Sequence, residues 1–287
     1  MKKIGSSQEI NKVLKGSDFY VKKRFGQNFL KDQNILNKIA DAGAITKDSL
    51  VVEIGPGFGG LTELLLDRAK HVIAYEIDTE LIPILSNTFK DTNNLTLINK
   101  DILKVDVDFD IKELGITCDK VVVVANLPYY ITTPILMKFI EESTLTSKMI
   151  VMMQLEVAKR ITSAPSTKDY NSLSIAIQYK TDAVIAFNVP RTVFIPQPNV
   201  DSAVVVLDIK DKPDHEPIDE DVFYKLIRAS FTQRRKTLLN NLRHNYDLNR
   251  EQIEVMLEEL EIKLNERAEN LSILDFIRIA DYFTNNF

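Results

Sequence analysis

The tetrapeptide Asn126-Leu127-Pro128-Tyr129 directly follows the apolar run Val121-Val122-Val123-Val124-Ala125. A primary amide, a fixed kink and an aromatic ring therefore stand at the mouth of a buried strand. That set suits the gripping of an exocyclic amine on a flat heterocycle. Such an amine is a poor nucleophile, because its lone pair is delocalised into the ring. Two acceptors on its N–H groups favour pyramidalisation and aim the lone pair at an electrophile. The Asn126 side-chain oxygen can be one acceptor. The Leu127 carbonyl can be the other, since the following Pro128 excludes the right-handed helical region at Leu127 and fixes an extended carbonyl direction. Tyr129 offers a face for the base, stacking being worth ~1–3 kcal/mol per base. No general base is required, because the proton is acidic once the nitrogen is alkylated. Taken alone, Asn-x-Pro-Tyr is also an ordinary proline turn after a strand.

A second motif lies upstream. Glu53-Ile54-Gly55-Pro56-Gly57-Phe58-Gly59-Gly60 follows a strand-like run and opens a helical one. Glycines there let the backbone approach a ligand closely and adopt positive φ. Gly55, Gly57 and Gly60 match the dinucleotide pattern Gly-x-Gly-x-x-Gly, while Glu53, Gly55, Gly57 and Gly59 match Glu-x-Gly-x-Gly-x-Gly. The loop therefore implies a nucleotide-like ligand without saying which. Glu76, about 20 residues on, is where a carboxylate can take both hydroxyls of a ribose. Singly, it is as well read as a solvated acid at a strand end. Asp101 follows a third apolar run.

These residues need elements to hold them. Strand-like runs at Leu50–Ile54, His71–Tyr75, Leu95–Asn99, Lys120–Ala125 and Lys148–Met153 alternate with helical patterns, which predicts a mostly parallel α/β sheet covered on both faces. Gly55, Glu76, Asp101 and Asn126 each fall at the carboxyl end of successive strands, the edge where open α/β sheets bind ligands. Independent surface residues would rarely repeat that placement. Ala183–Asn188 and Ala203–Ile209 predict an antiparallel end to the sheet. Leu155–Thr162 and Leu173–Tyr179 read as helices, and the polar loop Ser163–Asn171 between them is a natural place for a lid or recognition segment. The charged stretch Asp211-Lys212-Pro213-Asp214-His215-Glu216-Pro217 predicts a domain boundary. After it, Asp219 can cap a helix through Phe231, and further helical stretches follow without a strand signal. The expected organisation is a basic arm over residues 1–17, an α/β domain over 18–210 and a helical domain over 211–287.

With 287 residues, 45% hydrophobic and 27% charged, the chain has apolar mass for a real core. One cysteine, Cys118, excludes a disulfide framework and suits a reducing compartment. Three scattered histidines cannot build a zinc site with it. No run approaches ~18 uninterrupted apolar residues, so a cytoplasmic protein with no membrane span and no metal is expected. The formal net charge of −5 argues against nucleic acid, but the charge is segregated. Met1–Lys31 is rich in lysine, Arg228–Arg250 carries Arg234, Arg235 and Lys236, and the final stretch is acidic. Such a chain can present a basic face to a polyanion, or merely solvated helix faces.

In combination, Glu53-x-Gly-x-Gly-x-Gly and Asn126-Leu127-Pro128-Tyr129 resemble the class I S-adenosylmethionine-dependent adenine-N6 methyltransferases. Gly26-Gln27-Asn28-Phe29-Leu30 resembles the additional N-terminal cofactor motif of the ribosomal RNA adenine dimethylases. Phe194-Ile195-Pro196-Gln197-Pro198-Asn199-Val200-Asp201-Ser202-Ala203-Val204 and Phe231-Thr232-Gln233-Arg234-Arg235-Lys236-Thr237-Leu238 resemble the KsgA/RsmA type more than the erythromycin-resistance type. The resemblance covers nearly the whole chain. It implies a class I methyltransferase fold with a small all-helical C-terminal domain, S-adenosylmethionine as cofactor, and dimethylation of two adjacent adenosines near the 3′ end of 16S rRNA in the 30S particle. It further implies that Asn28 and Leu30 touch the cofactor near its methionine part, that Gly55 and Gly57 lie against it, and that Glu76 holds the ribose. Asp101 would bond the cofactor's adenine, and Asn126 would bridge cofactor and target. Phe194 is then a wall for the target base or an ordinary core phenylalanine. Arg234, Arg235 and Lys236 would contact RNA phosphates, and the protein would act as a monomer. Three rivals follow: a 23S rRNA dimethyltransferase of the macrolide-resistance type, an NAD-dependent oxidoreductase, and a non-catalytic assembly factor.

Overall fold

The computed structural model describes residues 28–287. The basic arm expected over residues 1–17, and Gly26 and Gln27 of the N-terminal motif, lie outside the described residues. The described residues form two compact units, 28–158 with Asp182–Ile209, and Lys159–Thr181 with Lys210–Phe287.

The first unit is built on a seven-stranded sheet. Its strands are β2 (Ser49–Ile54), β3 (His71–Tyr75), β4 (Leu95–Ile98), β5 (Lys120–Asn126), β6 (Thr146–Gln154), β7 (Thr181–Val189) and β9 (Ser202–Ile209), in the order β4-β3-β2-β5-β6-β9-β7. The five strands from β4 to β6 run parallel, and β9 pairs antiparallel with β6. Strand β2 is buried along its whole length, as are Val121–Ala125 of β5. That is why these segments read as continuous apolar runs rather than alternating ones. Helices α1 (Gln33–Ala42), α2 (Gly60–Arg68), α3 (Leu81–Thr88), α4 (Val107–Glu113) and α5 (Thr132–Glu142) belong to this unit. Helix α6 (Leu155–Ile161) carries the chain from the first unit into the second. A two-stranded ribbon of β1 (Phe29–Leu30) and β8 (Phe194–Ile195) pairs Leu30 with Phe194.

From β2 the chain winds outward to β3 and β4, then returns past β2 to β5 and β6. The direction of winding reverses between β2 and β5, and ligands bind in the crevice such a reversal opens at the carboxyl ends of the strands. The glycine loop leaves β2 on one side of that crevice, and the Asn-Leu-Pro-Tyr segment leaves β5 on the other.

Gly59 shows how tightly this turn is built. It caps α2 at φ 84°, and an added Cβ would lie 2.6 and 2.8 Å from Phe89 ring atoms. Left-handed backbone costs an L-residue roughly 1–2 kcal/mol, and overpacking costs about 1–3 more. Gly59→Ala is therefore expected to destabilise the protein by roughly 2–5 kcal/mol, read as a lower urea midpoint at unchanged slope.

The second unit contains α7 (Ser172–Lys180), α8 (Glu220–Ser230), α9 (Leu238–Asn245), α10 (Arg250–Glu259) and α11 (Ile273–Asn286). Asp219 caps α8 by accepting from Asp221 N and Val222 N, as expected from the sequence. The single division expected at 211 is not how the chain divides, because residues 159–181 pack with the C-terminal helices. The Tyr179 ring lies 4.9 Å from that of Phe223, and its hydroxyl donates to Glu220 at 3.0 Å. Lys180 pairs with the same carboxylate at 2.8 Å. The loop Ser163–Asn171 is likewise held within this unit. Ser166 N donates to the Glu269 carbonyl, Tyr170 is buried, and Asn171 forms a capping box on α7.

Candidate active site

Strand registers align the site. Ile54 lies opposite Tyr75 on one side and Ala125 on the other, and Tyr75 lies opposite Ile98. The residues one step beyond, Gly55, Glu76 and Asn126, therefore stand side by side. Asp101 joins them from three positions past β4, its Oδ1 capping the turn Ile102–Lys104 through Leu103 N at 3.1 Å. All four line one pocket of about 1270 Å³, open at its mouth. The joint placement expected from sequence is thus observed. Asn28, Leu30 and Gly57 line the same pocket, together with Leu127, Pro128, Tyr129 and Phe194.

The backbone needs glycine at the two loop positions named from sequence. Gly55 has φ 70° and donates its N–H to the Tyr75 carbonyl at 2.9 Å. Gly57 has φ 58°, and a Cβ there would meet the Phe29 ring at 3.2 Å. The Gly57 N–H donates to Glu76 Oε2 at 3.2 Å, and Asp78 N–H donates to Oε1 at 2.9 Å. These bonds orient the carboxylate while leaving each oxygen lone-pair capacity for a ligand hydroxyl. Burial pushes the Glu76 carboxyl above its ordinary range, against the pull of those backbone donors.

Beneath the loop lies a residue that the motif contains but the sequence did not single out. Glu53 is 2% exposed, and its Oε2 has no hydrogen-bond partner among the described residues. Burial pushes its carboxyl up to about 8, with the Thr62 hydroxyl pulling down and the Glu76 charge pushing further up. Glu53 is therefore mostly protonated at neutral pH. The sequence signal was its position inside an apolar strand, where a charge has no water.

The tetrapeptide is fixed from several sides. Asn126 Nδ2 donates to the Asn28 carbonyl at 3.4 Å, a long bond that commits the donor side of the amide and leaves Oδ1 as the acceptor. Leu127 is buried. The Pro128 carbonyl accepts from Ile131 N at 3.2 Å and from Thr132 Oγ1 at 3.3 Å, closing the turn into α5. Tyr129 Oη bonds Ser202 Oγ at 2.8 Å, which holds the ring from the start of β9. Ser202 lies in the segment Asn199–Val204, whose contact with the tetrapeptide no local spacing reveals. Phe194 is 3% exposed within the main core cluster, so it lines the pocket from the core side.

In the second unit the basic cluster divides. The Arg234 guanidinium donates to the Lys168 carbonyl and so helps to hold the 163–171 loop. Arg235 and Lys236 are exposed, with no carboxylate partner among the described residues. Lys236 shares a depression of about 750 Å³ with Gln233, Asn240, Arg243 and His244. The spacing 240, 243, 244 was the available signal, since it marks one face of α9, with Lys236 in the bend just before that helix.

Among the described residues, no group of three or more His, Cys, Asp or Glu could hold a metal ion, and no helix is long and apolar enough to cross a membrane. The fold and the glycine loop beside the Asn-Leu-Pro-Tyr segment define a class I S-adenosylmethionine-dependent methyltransferase. Residues 18–285 match the family described as Ribosomal RNA adenine dimethylase, and the chain belongs to that family. It is 48% identical over 283 residues to the Ribosomal RNA small subunit methyltransferase A of Bacillus pumilus, covering 98% of this chain and 97% of that one. The protein of the same name from Streptococcus thermophilus is 50% identical over 272 residues, covering 94% of each chain. Among solved structures, a dimethyladenosine transferase from Plasmodium falciparum matches with a TM-score of 0.75 and 30% identity, over 89% of this chain and 97% of that one. The 23S rRNA methyltransferase ErmE matches with a TM-score of 0.66 and 25% identity, over 88% and 98%.

The pocket fits the methyl donor of such an enzyme. Two glycines at positive φ admit a ligand against the backbone, and an added Cβ at Gly57 would crowd Phe29 where the Gly57 N–H reaches Glu76. The oriented Glu76 carboxylate suits a ribose diol. Asp101 has an oxygen beyond the one engaged in its cap, and Ile77 and Ile102 offer apolar walls to a flat ring.

Proposed function

We propose that this protein transfers methyl groups from S-adenosylmethionine to N6 of two adjacent adenosines in the 3′-terminal hairpin loop of small-subunit rRNA, acting on the 30S particle as a monomer in the cytoplasm. The observation that carries this reading is the Asn126 amide, its donor side committed to the Asn28 carbonyl and its acceptor beside the glycine loop. When bound, the donor supplies an electrophilic methyl group. Glu76 and Asp101 orient it, Asn28, Leu30, Gly55 and Gly57 form its bed, and Asn126 meets both it and the target base. Asn126 Oδ1 and the Leu127 carbonyl accept from the adenine amine, Pro128 fixes that carbonyl, and Tyr129 stacks on the ring. Phe194 backs the same space. An RNA loop suits the site, since its partly unstacked bases are cheaper to extrude than those of a duplex.

The small-subunit relatives, near half identity over almost the whole chain, support the 30S substrate over the large-subunit alternative. An NAD-dependent oxidoreductase leaves the Asn-Leu-Pro-Tyr segment without a role. Radiolabelled methyl transfer to unmethylated 30S and 50S particles, followed by mapping of the modified base, tests the reading. Label in adjacent adenosines of 30S is expected; label confined to 50S, or none in either, overturns it.

Arg235 and Lys236 are assigned to RNA phosphates, with Arg234 contributing less because it is engaged with Lys168. Replacing Arg235 and Lys236 with glutamine is expected to weaken 30S binding and to reduce the slope of log affinity against log salt by about one per lost contact. Filter binding between 50 and 200 mM salt reads the slope, and an unchanged slope moves the phosphate contacts elsewhere.

A further inference from the structure

The Tyr129–Ile131 turn contains a second aromatic ring that the clamp does not use. Tyr130 is 63% exposed, yet it lines the same pocket as Asn126 and Tyr129. Its neighbours Tyr129 and Ile131 are half-buried, so Tyr130 is the residue of this turn that stands out at the rim. The turn beneath it is fixed by the bonds from Ile131 N and Thr132 Oγ1 to the Pro128 carbonyl and by the Tyr129–Ser202 bond. Immediately after it, the buried residues Thr132, Ile135, Leu136 and Phe139 anchor α5. A scattered exposed aromatic is ordinary on a protein surface. This one is held on a rigid turn, at the lip of a pocket, next in sequence to the ring assigned to the target base.

Extruding one nucleotide from an RNA loop removes a stacking partner from its neighbour. A preorganised aromatic face at the rim can take that neighbour at little entropic cost. We propose that the Tyr130 ring is the stacking platform for the nucleotide adjacent to the extruded adenosine, so that the site grips two successive bases, one inside on Tyr129 and one at the lip on Tyr130. The proposal rests on the RNA-adenine reading given above. It makes Tyr130 a substrate-positioning residue whose contribution depends on an aromatic face and not on its hydroxyl.

The test compares wild type with Tyr130→Ala, Tyr130→Leu and Tyr130→Phe on unmethylated 30S particles. Steady-state kinetics are combined with calorimetric binding of S-adenosylhomocysteine and with quantification of methylation at each adenosine. Loss of ~1–3 kcal/mol of stacking corresponds to a fall in kcat/KM of about 5- to 150-fold. That fall is expected for the alanine and leucine variants, mainly through KM for 30S, with the affinity for S-adenosylhomocysteine and the thermal midpoint unchanged. The phenylalanine variant should restore activity. Wild-type kinetics in the alanine variant overturn the proposal while leaving the RNA-adenine reading intact. A leucine variant as active as phenylalanine overturns stacking as the cause. Failure of wild type itself to methylate 30S overturns the reading and the proposal together.

Discussion

Asn126→Ala is expected to lower the single-turnover rate of methyl transfer to 30S particles by about 10²–10³-fold, the range seen when one preorganised hydrogen-bonding group at a reacting centre is removed. The amine lone pair must leave conjugation before it can attack, and that requires an acceptor on each N–H. Alanine removes one acceptor and leaves the Leu127 carbonyl, so a residual rate remains. The loss is not a folding effect, because Asn126 ends β5 beyond the buried run Val121–Ala125 and its only described side-chain bond is the long one to Asn28. Asn126→Asp sharpens the case. It keeps an acceptor in place, yet it sets a carboxylate oxygen against the Asn28 carbonyl where the amide nitrogen now donates. The aspartate variant should therefore also fall well below wild type. If either variant keeps a near-wild-type rate while folded, the assignment of the clamp is wrong.

The sequence carried this site further than it carried the architecture around it. Strand ends are set by short-range pattern, so the row from Gly55 through Glu76 and Asp101 to Asn126 could be located from apolar runs and the residues that stop them. Parallel pairing then brought the row together, as the registers of β2 with β3 and β5 show. Long-range contacts had no such signal. Nothing local places Ser202 on the Tyr129 hydroxyl or pairs Leu30 with Phe194. The 159–181 segment reads as two helices and a loop, and only the Tyr179 contacts with Phe223 and Glu220 tie it to the C-terminal helices. Charge was misleading in the same way. Arg234, Arg235 and Lys236 look equivalent in sequence and all three are exposed, yet Arg234 is engaged in holding a loop.

Glu53 yields the second large effect, and it concerns stability. In the unfolded chain its carboxyl ionises near the ordinary 4.5, whereas in the folded protein burial delays ionisation to about 8. Between those values the folded state binds the extra proton, so stability falls as pH rises, by about 1.4 kcal/mol per pH unit. Below 4.5 both states are protonated and above 8 both are ionised, so the contribution is flat outside that window. Across the window the accumulated loss is on the order of 4–5 kcal/mol, a ceiling for one buried acid. Glu53→Gln removes the titration and keeps the shape. Urea unfolding from pH 5 to 9 should show a variant that matches wild type at the acid end and exceeds it by several kcal/mol at pH 8 and above. Glu76, also shifted upward by burial, titrates in both proteins, so its contribution largely cancels in the difference. Parallel stability curves would show that Glu53 is ionised in the folded state near neutrality. A difference that opens between pH 5 and 8 would show that the acid of the glycine loop is carried as a neutral group.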